Sequence, residues 1–246
     1  MSGPAIRAVL FDAGGTILRV NPSVEVVYVE TAAVHGVEAR PDAIRQGFRA
    51  AWRKSLERSR KRGYRTSDEI LRAEWFEIIR DTFGESAPAS RIGPLFEDLY
   101  ERFVSARAWS LAPGTQEAVA FLRERGIRVG ILSNWDSRLR RMLREMGIER
   151  AFEFIVVSHE VGFEKPHTMI FEEALRRAGT DPGETLHVGD SYEADILPAA
   201  AMGLRTLWVA PREEREALAG AGPGVDALPA EPLPFWERVI EGKAMG

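Results

Sequence analysis

Ala8-Val9-Leu10-Phe11-Asp12-Ala13-Gly14-Gly15-Thr16 is the stretch on which the fold turns. An apolar run stops at an aspartate, and two glycines and a threonine follow. Such a run predicts a strand buried on both faces, as strands of parallel sheets are. Its C-terminal end delivers Asp12, and in open α/β sheets that edge is where ligands bind. Gly14 and Gly15 let the chain turn sharply and approach a ligand without a Cβ in the way. Gly14 is also a candidate for a positive φ, which would resist a side chain. Alone, an aspartate before Gly-Gly is most often a turn former. Its weight comes from similar junctions downstream.

From Gly114 onward strands and helices alternate. Strands are expected over 127–132, 152–157, 185–188 and 204–209. The first helix carries Ala118, Phe121 and Leu122 and closes at Gly126. A second starts from Asp136 as N-cap and carries Leu139, Met142, Leu143 and Met146. Two more cover 168–178 and 194–202. Strands separated by helices of this length predict an α/β fold, a Rossmann-like parallel sheet covered on both faces. Residues 18–108 differ, with helix-period patterns and no strong strand. One pattern holds Val24, Val27, Tyr28 and Ala32; another holds Ile44, Phe48, Ala51 and Trp52. A third, from Ser67-Asp68, holds Ile70, Leu71, Trp75, Ile78 and Ile79. Residues 84–94 read as turns and 95–104 as a last helix. The expected organisation is a discontinuous α/β core, 1–17 and 109–246, with a helical insert at 18–108. Past Pro211, Phe235, Trp236, Val239 and Ile240 form a docking patch at helical spacing.

Three further junctions bear chemistry. The strand ending at Leu132 delivers Ser133-Asn134, Lys165-Pro166 precedes a helix, and Val188-Gly189-Asp190 places one aspartate at a strand end with Asp195 following. Singly, Ser133 reads as a turn residue, Asp190 as a cap and Lys165 as a solvated charge. Four at equivalent edges of one parallel sheet converge on one cleft.

Asp12-Ala13-Gly14-Gly15-Thr16, Ser133-Asn134, Lys165-Pro166 and Gly189-Asp190 with Asp195 resemble the four motifs of the haloacid dehalogenase superfamily. The helical insert resembles the cap of its subfamily IA. The stretch 28–52 and Trp75-Phe76 are similar to the branch named for a rhythmically expressed fly gene. The resemblance implies a Mg²⁺-dependent phosphohydrolase of small phosphorylated substrates. In that division of labour Asp12 attacks phosphorus and forms an aspartyl-phosphate. Asp12, Asp190 and the Gly14 carbonyl hold Mg²⁺ through oxygen alone. Ser133, Asn134 and Lys165 hold phosphoryl oxygens, and Asp195 sits outside the metal shell or orients Lys165.

One position departs from the pattern. Phosphatases of this superfamily usually carry an acid–base aspartate two residues after the nucleophile, where this chain has Gly14. Three readings follow. The chain is a phosphohydrolase with another acid or a good leaving group, a weakly active or non-catalytic phosphate binder, or a 2-haloacid dehalogenase. The Asp190–Asp195 pair disfavours the last. Candidate replacement acids are His159, Glu160, Glu164 and His167, each with an ordinary reading: Glu160 and Glu164 as loop charges, His167 as a helix-start residue and His159 as a partly buried strand end. His187 reads as a core histidine, and His35 has no visible partner. Trp135 is the aromatic best placed to touch a ligand, whereas Trp75-Phe76 reads as bundle core.

Composition narrows the partners. A net charge of −4 gives no reason to expect nucleic acid or an anionic membrane. The basic run Arg53, Lys54, Arg58, Arg60, Lys61, Arg62 and Arg65, opposed locally by Glu57, reads as a solvated face. With no cysteine there is no disulfide, thiol nucleophile or thiolate metal site, and a cytoplasmic location is expected. The N-terminal residues 1–6 show no leader pattern, and no apolar run is long enough for a membrane span.

Overall fold

The computed structural model describes residues 5–217, 224–225, 228 and 233–241; residues 1–4, in the stretch read for a leader, lie outside them. β1 (Ala8–Phe11) is buried throughout, as its unbroken apolar sequence requires. After β2 (Leu18–Val20) come α1 (Val24–Val34), α2 (Pro41–Lys61), α3 (Asp68–Phe83) and α4 (Ala89–Arg102), and then β3 (Trp109–Leu111). The chain continues through α5 (Thr115–Glu124), β4 (Arg128–Ser133), α6 (Arg138–Glu145), β5 (Phe154–Val157), α7 (Ser158–Val161) and α8 (Thr168–Ala178). It ends through β6 (Thr185–Gly189), a π-helical turn at Tyr192–Ile196, α9 (Leu197–Ala201), β7 (Arg205–Val209), α10 (Arg212–Ala217), β8 (Gly224–Val225) and α11 (Leu233–Ile240).

The sheet has the order β5-β4-β1-β6-β7-β8, and every pair in it is parallel. The strand order reverses around β1, so the topological switch lies beside it, at the edge where such sheets bind ligands. Phe11 pairs with Ile131 on one side and Val188 on the other. That register sets Asp12 between the ends of β4 and β6. Alternate side chains of the sheet feed two apolar layers. Val9, Phe11 and Ile131 meet Phe121, Leu122, Leu139 and Leu143 on one face. Leu10, Leu132 and Val156 meet Ile170, Phe171 and Ala174 on the other. Trp236 of α11 is fully buried in the first layer, edge-on to Phe11, and Val239 is buried beside it. That packing is what the apolar spacing of the tail predicts.

The helices between β2 and β3 bury a separate cluster that includes Tyr28, Ile79, Phe83, Leu95 and Leu99. α3 starts where Ser67 predicts, with its hydroxyl accepting Ile70 N. Three local expectations are corrected. The segment read as holding no strong strand opens on one: β2 pairs antiparallel with β3, Leu18 opposite Leu111 and Val20 opposite Trp109. α4 begins at Ala89 rather than after the turn-like Gly93-Pro94, because burial of Ile92, Leu95, Phe96 and Leu99 offsets the hydrogen bond that Pro94 cannot make. Asp136 sits one residue before the cap of α6, where its carboxylate accepts Arg138 N at 3.0 Å.

Candidate active site

Asp12 leaves β1 into a turn closed by Leu18 N to Ala13 O at 2.8 Å and Gly15 N to Leu18 O at 2.9 Å. The left-handed residue of that turn is Gly15, at φ 91°, and not Gly14. A Cβ on Gly15 would run into the Asp190 carboxyl, so glycine is required there twice over. Gly14 has room for a Cβ, which would lie 3.4 Å from Trp135 Nε1. The expectation of a positive φ at Gly14 is overturned; the left-handed conformation sits one residue later, at Gly15.

β4 ends on Ser133, whose hydroxyl donates to Asp12 Oδ1 at 3.4 Å. Lys165 reaches the same oxygen from the loop before α8, with Nζ at 2.6 Å, and also contacts Asp195 Oδ1 at 2.6 Å and Leu132 O at 3.0 Å. Those three acceptors satisfy all three donors of its ammonium. Asp195 lies in the π-helical turn after β6. It accepts His187 Nε2 and Ser191 N, each at 3.0 Å. A Cβ on Gly189 would collide with Asp195, so the strand end and the turn close up only around glycine. Asp190 is half-buried, and Thr16 Oγ1 donates to its Oδ1 at 3.2 Å.

Charge is unevenly balanced among these groups. Carboxylate oxygens of Asp12, Asp190 and Asp195 lie within 4.8 Å of one another. Lys165 is the cation within ion-pair distance of Asp12 and Asp195. Burial would raise the Asp195 carboxyl, but Lys165 and His187 beside it hold it well below the usual range. Burial opposes the charge on Lys165, yet Asp12 and Asp195 keep its pKa above the ordinary lysine value. Asp12 is raised by burial, which Lys165 only partly offsets. Asp190 is pushed up to about 8, by burial first and then by the Asp12 and Asp195 carboxylates. An all-oxygen cluster with more acids than cations fits a hard divalent cation such as Mg²⁺.

Several assignments made from sequence change. The Asn134 side chain, named with Ser133 and Lys165 for phosphoryl oxygens, is bonded to the main chain of Lys165, donating to its carbonyl at 2.9 Å and accepting its N–H at 2.7 Å. That pairing fixes the Lys165 main chain and leaves the Asn134 main-chain N–H out of it. Of the candidate acids, Glu160 is paired with Arg140 at 2.7 Å, and His167 caps α8 by accepting Met169 N at 3.2 Å. Glu164 is buried and accepts the Ser59 hydroxyl of α2, with Arg62 3.9 Å away. His159 lies 4.0 Å from Asp68. None of the four is bonded to Asp12. His35, expected to lack a partner, contacts Asp98 at 3.2 Å. The basic run is opposed from α3 as well: Arg58 and Arg62 pair with Glu74, and Lys54 with Asp81. His187 is fully buried, with Nδ1 3.2 Å from Leu10 O, and Trp75-Phe76 packs in the bundle.

Sequence reasoning did not find the polar seam between the helical segment and the sheet. Besides Ser59–Glu164, Asp68 accepts Ser137 N at 2.9 Å and Tyr100 donates to Asp136 at 3.3 Å. Thr66 N donates to Gly162 O at 3.0 Å, and Glu164 N to Tyr64 O at 3.0 Å.

The comparisons with known proteins fit this geometry. Residues 6–203 match the profile of the haloacid dehalogenase-like hydrolases. Haloacid dehalogenase-like hydrolase domain-containing protein 3 of Homo sapiens is 32% identical over 206 residues, 83% of this chain and 82% of that protein. The Rhythmically expressed gene 2 protein of Drosophila melanogaster is 27% identical, covering 80% of each chain. A glyceraldehyde 3-phosphate phosphatase of Methanothermobacter thermautotrophicus is 39% identical over 141 residues, 54% of this chain and 59% of that one. The HAD hydrolase YfnB of Bacillus subtilis shares the fold, with a TM-score of 0.68 and 22% identity over 92% of this chain and 96% of that one. The chain belongs to the haloacid dehalogenase-like hydrolase family, in the branch that holds the human and fly proteins.

Proposed function

We propose that this chain is a phosphohydrolase of small phosphorylated molecules, with Asp12 as the nucleophile. The observation that carries the reading is the meeting of Lys165 and Ser133 on Asp12 Oδ1, which leaves Oδ2 free of those two partners. Oδ2, Asp190 and the Gly14 carbonyl form the set that would hold Mg²⁺. Bound there, the ion would neutralise charge between the carboxylate and a phosphate dianion. The Ser133 hydroxyl and the Asn134 main-chain N–H hold phosphoryl oxygens. Lys165 stabilises charge on the Asp12–phosphoryl unit, steered by Asp195 and by the Asn134 side chain. The phosphatase among the relatives supports phosphate as the group transferred.

In this reading residues 18–108 form a cap over a core of 1–17 and 109–246, and the cap excludes water during turnover. Residue 14 carries no acid, so substrates with stable leaving groups are favoured. The same glycine favours a second reading, a slow or non-catalytic phosphate binder. Assay of a panel of phosphorylated metabolites separates them. Phosphate release with Mg²⁺ that EDTA abolishes supports the hydrolase. Saturable binding without release supports the binder, and metal-independent halide release from a 2-haloacid would replace both with a dehalogenase.

A further inference from the structure

Gly14 and Trp135 are partners in space. A Cβ on Gly14 would point to within 3.4 Å of Trp135 Nε1, so the indole N–H borders the ground that a residue-14 side chain would hold. The ring is held in place rather than loose. It lies against Trp109 with centroids 5.0 Å apart, and its own carbonyl accepts Ser158 Oγ at 3.1 Å and His159 N at 3.4 Å. The N–H groups of Trp109 and Trp208 are spent on the carbonyls of Phe103 and Asp190. Among the described residues the Trp135 N–H makes no hydrogen bond. A rigid, unspent donor stands between the Asp12 turn and the Ser133-Asn134 edge.

We propose that Trp135 Nε1–H donates a hydrogen bond to the leaving-group oxygen of the substrate. The inference rests on the phosphohydrolase reading above. As a carboxylate oxygen of Asp12 bonds to phosphorus, the bond from phosphorus to the leaving oxygen breaks and its electron pair stays on that oxygen. The indole is a donor that keeps its proton. It stabilises the departing anion without protonating it, and the anion takes its proton from water after release. Trp135 thereby fixes the substrate class: phosphate monoesters or acyl phosphates whose leaving oxygen accepts a hydrogen bond and is stable as an anion. A carboxylate in the same place would repel that anion until protonated, whereas the neutral N–H attracts it throughout.

The test is the dependence of log kcat/KM on leaving-group pKa across substituted phenyl phosphates, for wild type, Trp135→Phe and Trp135→His. Phenylalanine keeps the ring and removes the donor. The imidazole Nε2 occupies the same ring position as the indole Nε1 and restores a donor. The expected result is a steeper slope for Trp135→Phe, with a loss on the order of 10²-fold at phenyl phosphate and little loss at nitrophenyl phosphate. The rise in Tm on adding Mg²⁺ alone, which involves no leaving oxygen, should be unchanged, and Trp135→His should return the slope towards wild type. Parallel lines for wild type and Trp135→Phe would reduce Trp135 to packing and overturn the proposal. Absence of turnover by wild type on every ester would sink the hydrolase reading itself, and this inference with it.

Discussion

At the scale of single residues, two adjacent glycines have different duties. Gly15 is needed for its positive φ and its approach to Asp190, whereas Gly14 has ordinary backbone and room for a Cβ. Gly14→Asp is therefore expected to fold. Its carboxyl would lie next to the Trp135 N–H, which would orient it, and turnover of alkyl phosphates should rise by about 10²-fold. Steady-state kinetics on an alkyl and an aryl phosphate check this; an unchanged ratio between them would show that a proton donor already serves the site. Asp190 carries a second prediction, because its carboxylate lies within 4.8 Å of those of Asp12 and Asp195, while Lys165 pairs with those two. Mg²⁺ at 100 times its Kd should stabilise wild type by about 2.7 kcal/mol, seen as a rise in Tm, and Asp190→Asn should lose most of that rise. Equal Mg²⁺ responses in the two proteins would remove Asp190 from the metal set.

At the scale of elements, the seam between the helical segment and the sheet is built from polar pairs. Glu164 is a buried acid of this seam: burial raises its carboxyl, and the Ser59 hydroxyl and Arg62 only partly offset this. An acid with a raised folded-state pKa makes the native protein hold its proton more tightly than the unfolded chain does. Stability then falls as pH rises from the ordinary value of 4.5 through the raised one, and stays lower above it. Glu164→Gln cannot ionise, so its Tm should exceed that of wild type at pH 8, and the difference should close as pH approaches 4.5. A lower Tm for Glu164→Gln at pH 8 would mean that the charged pairing with Ser59 and Arg62 outweighs the burial. This seam was illegible in the sequence for a physical reason. Ser59 and Glu164 are 105 residues apart, and nothing local marks a serine on a basic helix as a partner for a loop glutamate. β2 and β3 were missed likewise, being three-residue strands that become strands only by pairing with each other. β1, β4 and β6 were legible because burial on both faces selects mostly apolar residues along them.

At the scale of the whole molecule, the parallel sheet order brings Asp12, Ser133 and Asp190 to adjacent strand ends, and the loop before α8 adds Lys165. That much of the site could be read from the chain, since each junction shows where an apolar run stops and which polar residue stops it. The roles within the cluster could not. Asn134 serving the Lys165 backbone and Trp135 facing Gly14 depend on how loops from different strands lean together. No helix among the described residues is long and apolar enough to cross a membrane, and the chemistry-bearing residues gather at the carboxylate cluster of Asp12, Asp190 and Asp195. Its central claim is that Asp12 attacks phosphorus. The direct measurement is mass spectrometry of the peptide carrying Asp12 after rapid acid quench of protein turning over an aryl or acyl phosphate with Mg²⁺. The account predicts a phosphoryl adduct on Asp12 that hydroxylamine discharges, and loss of both adduct and turnover in Asp12→Asn. Phosphate release by wild type with no adduct at any time, together with turnover retained by Asp12→Asn, would contradict it.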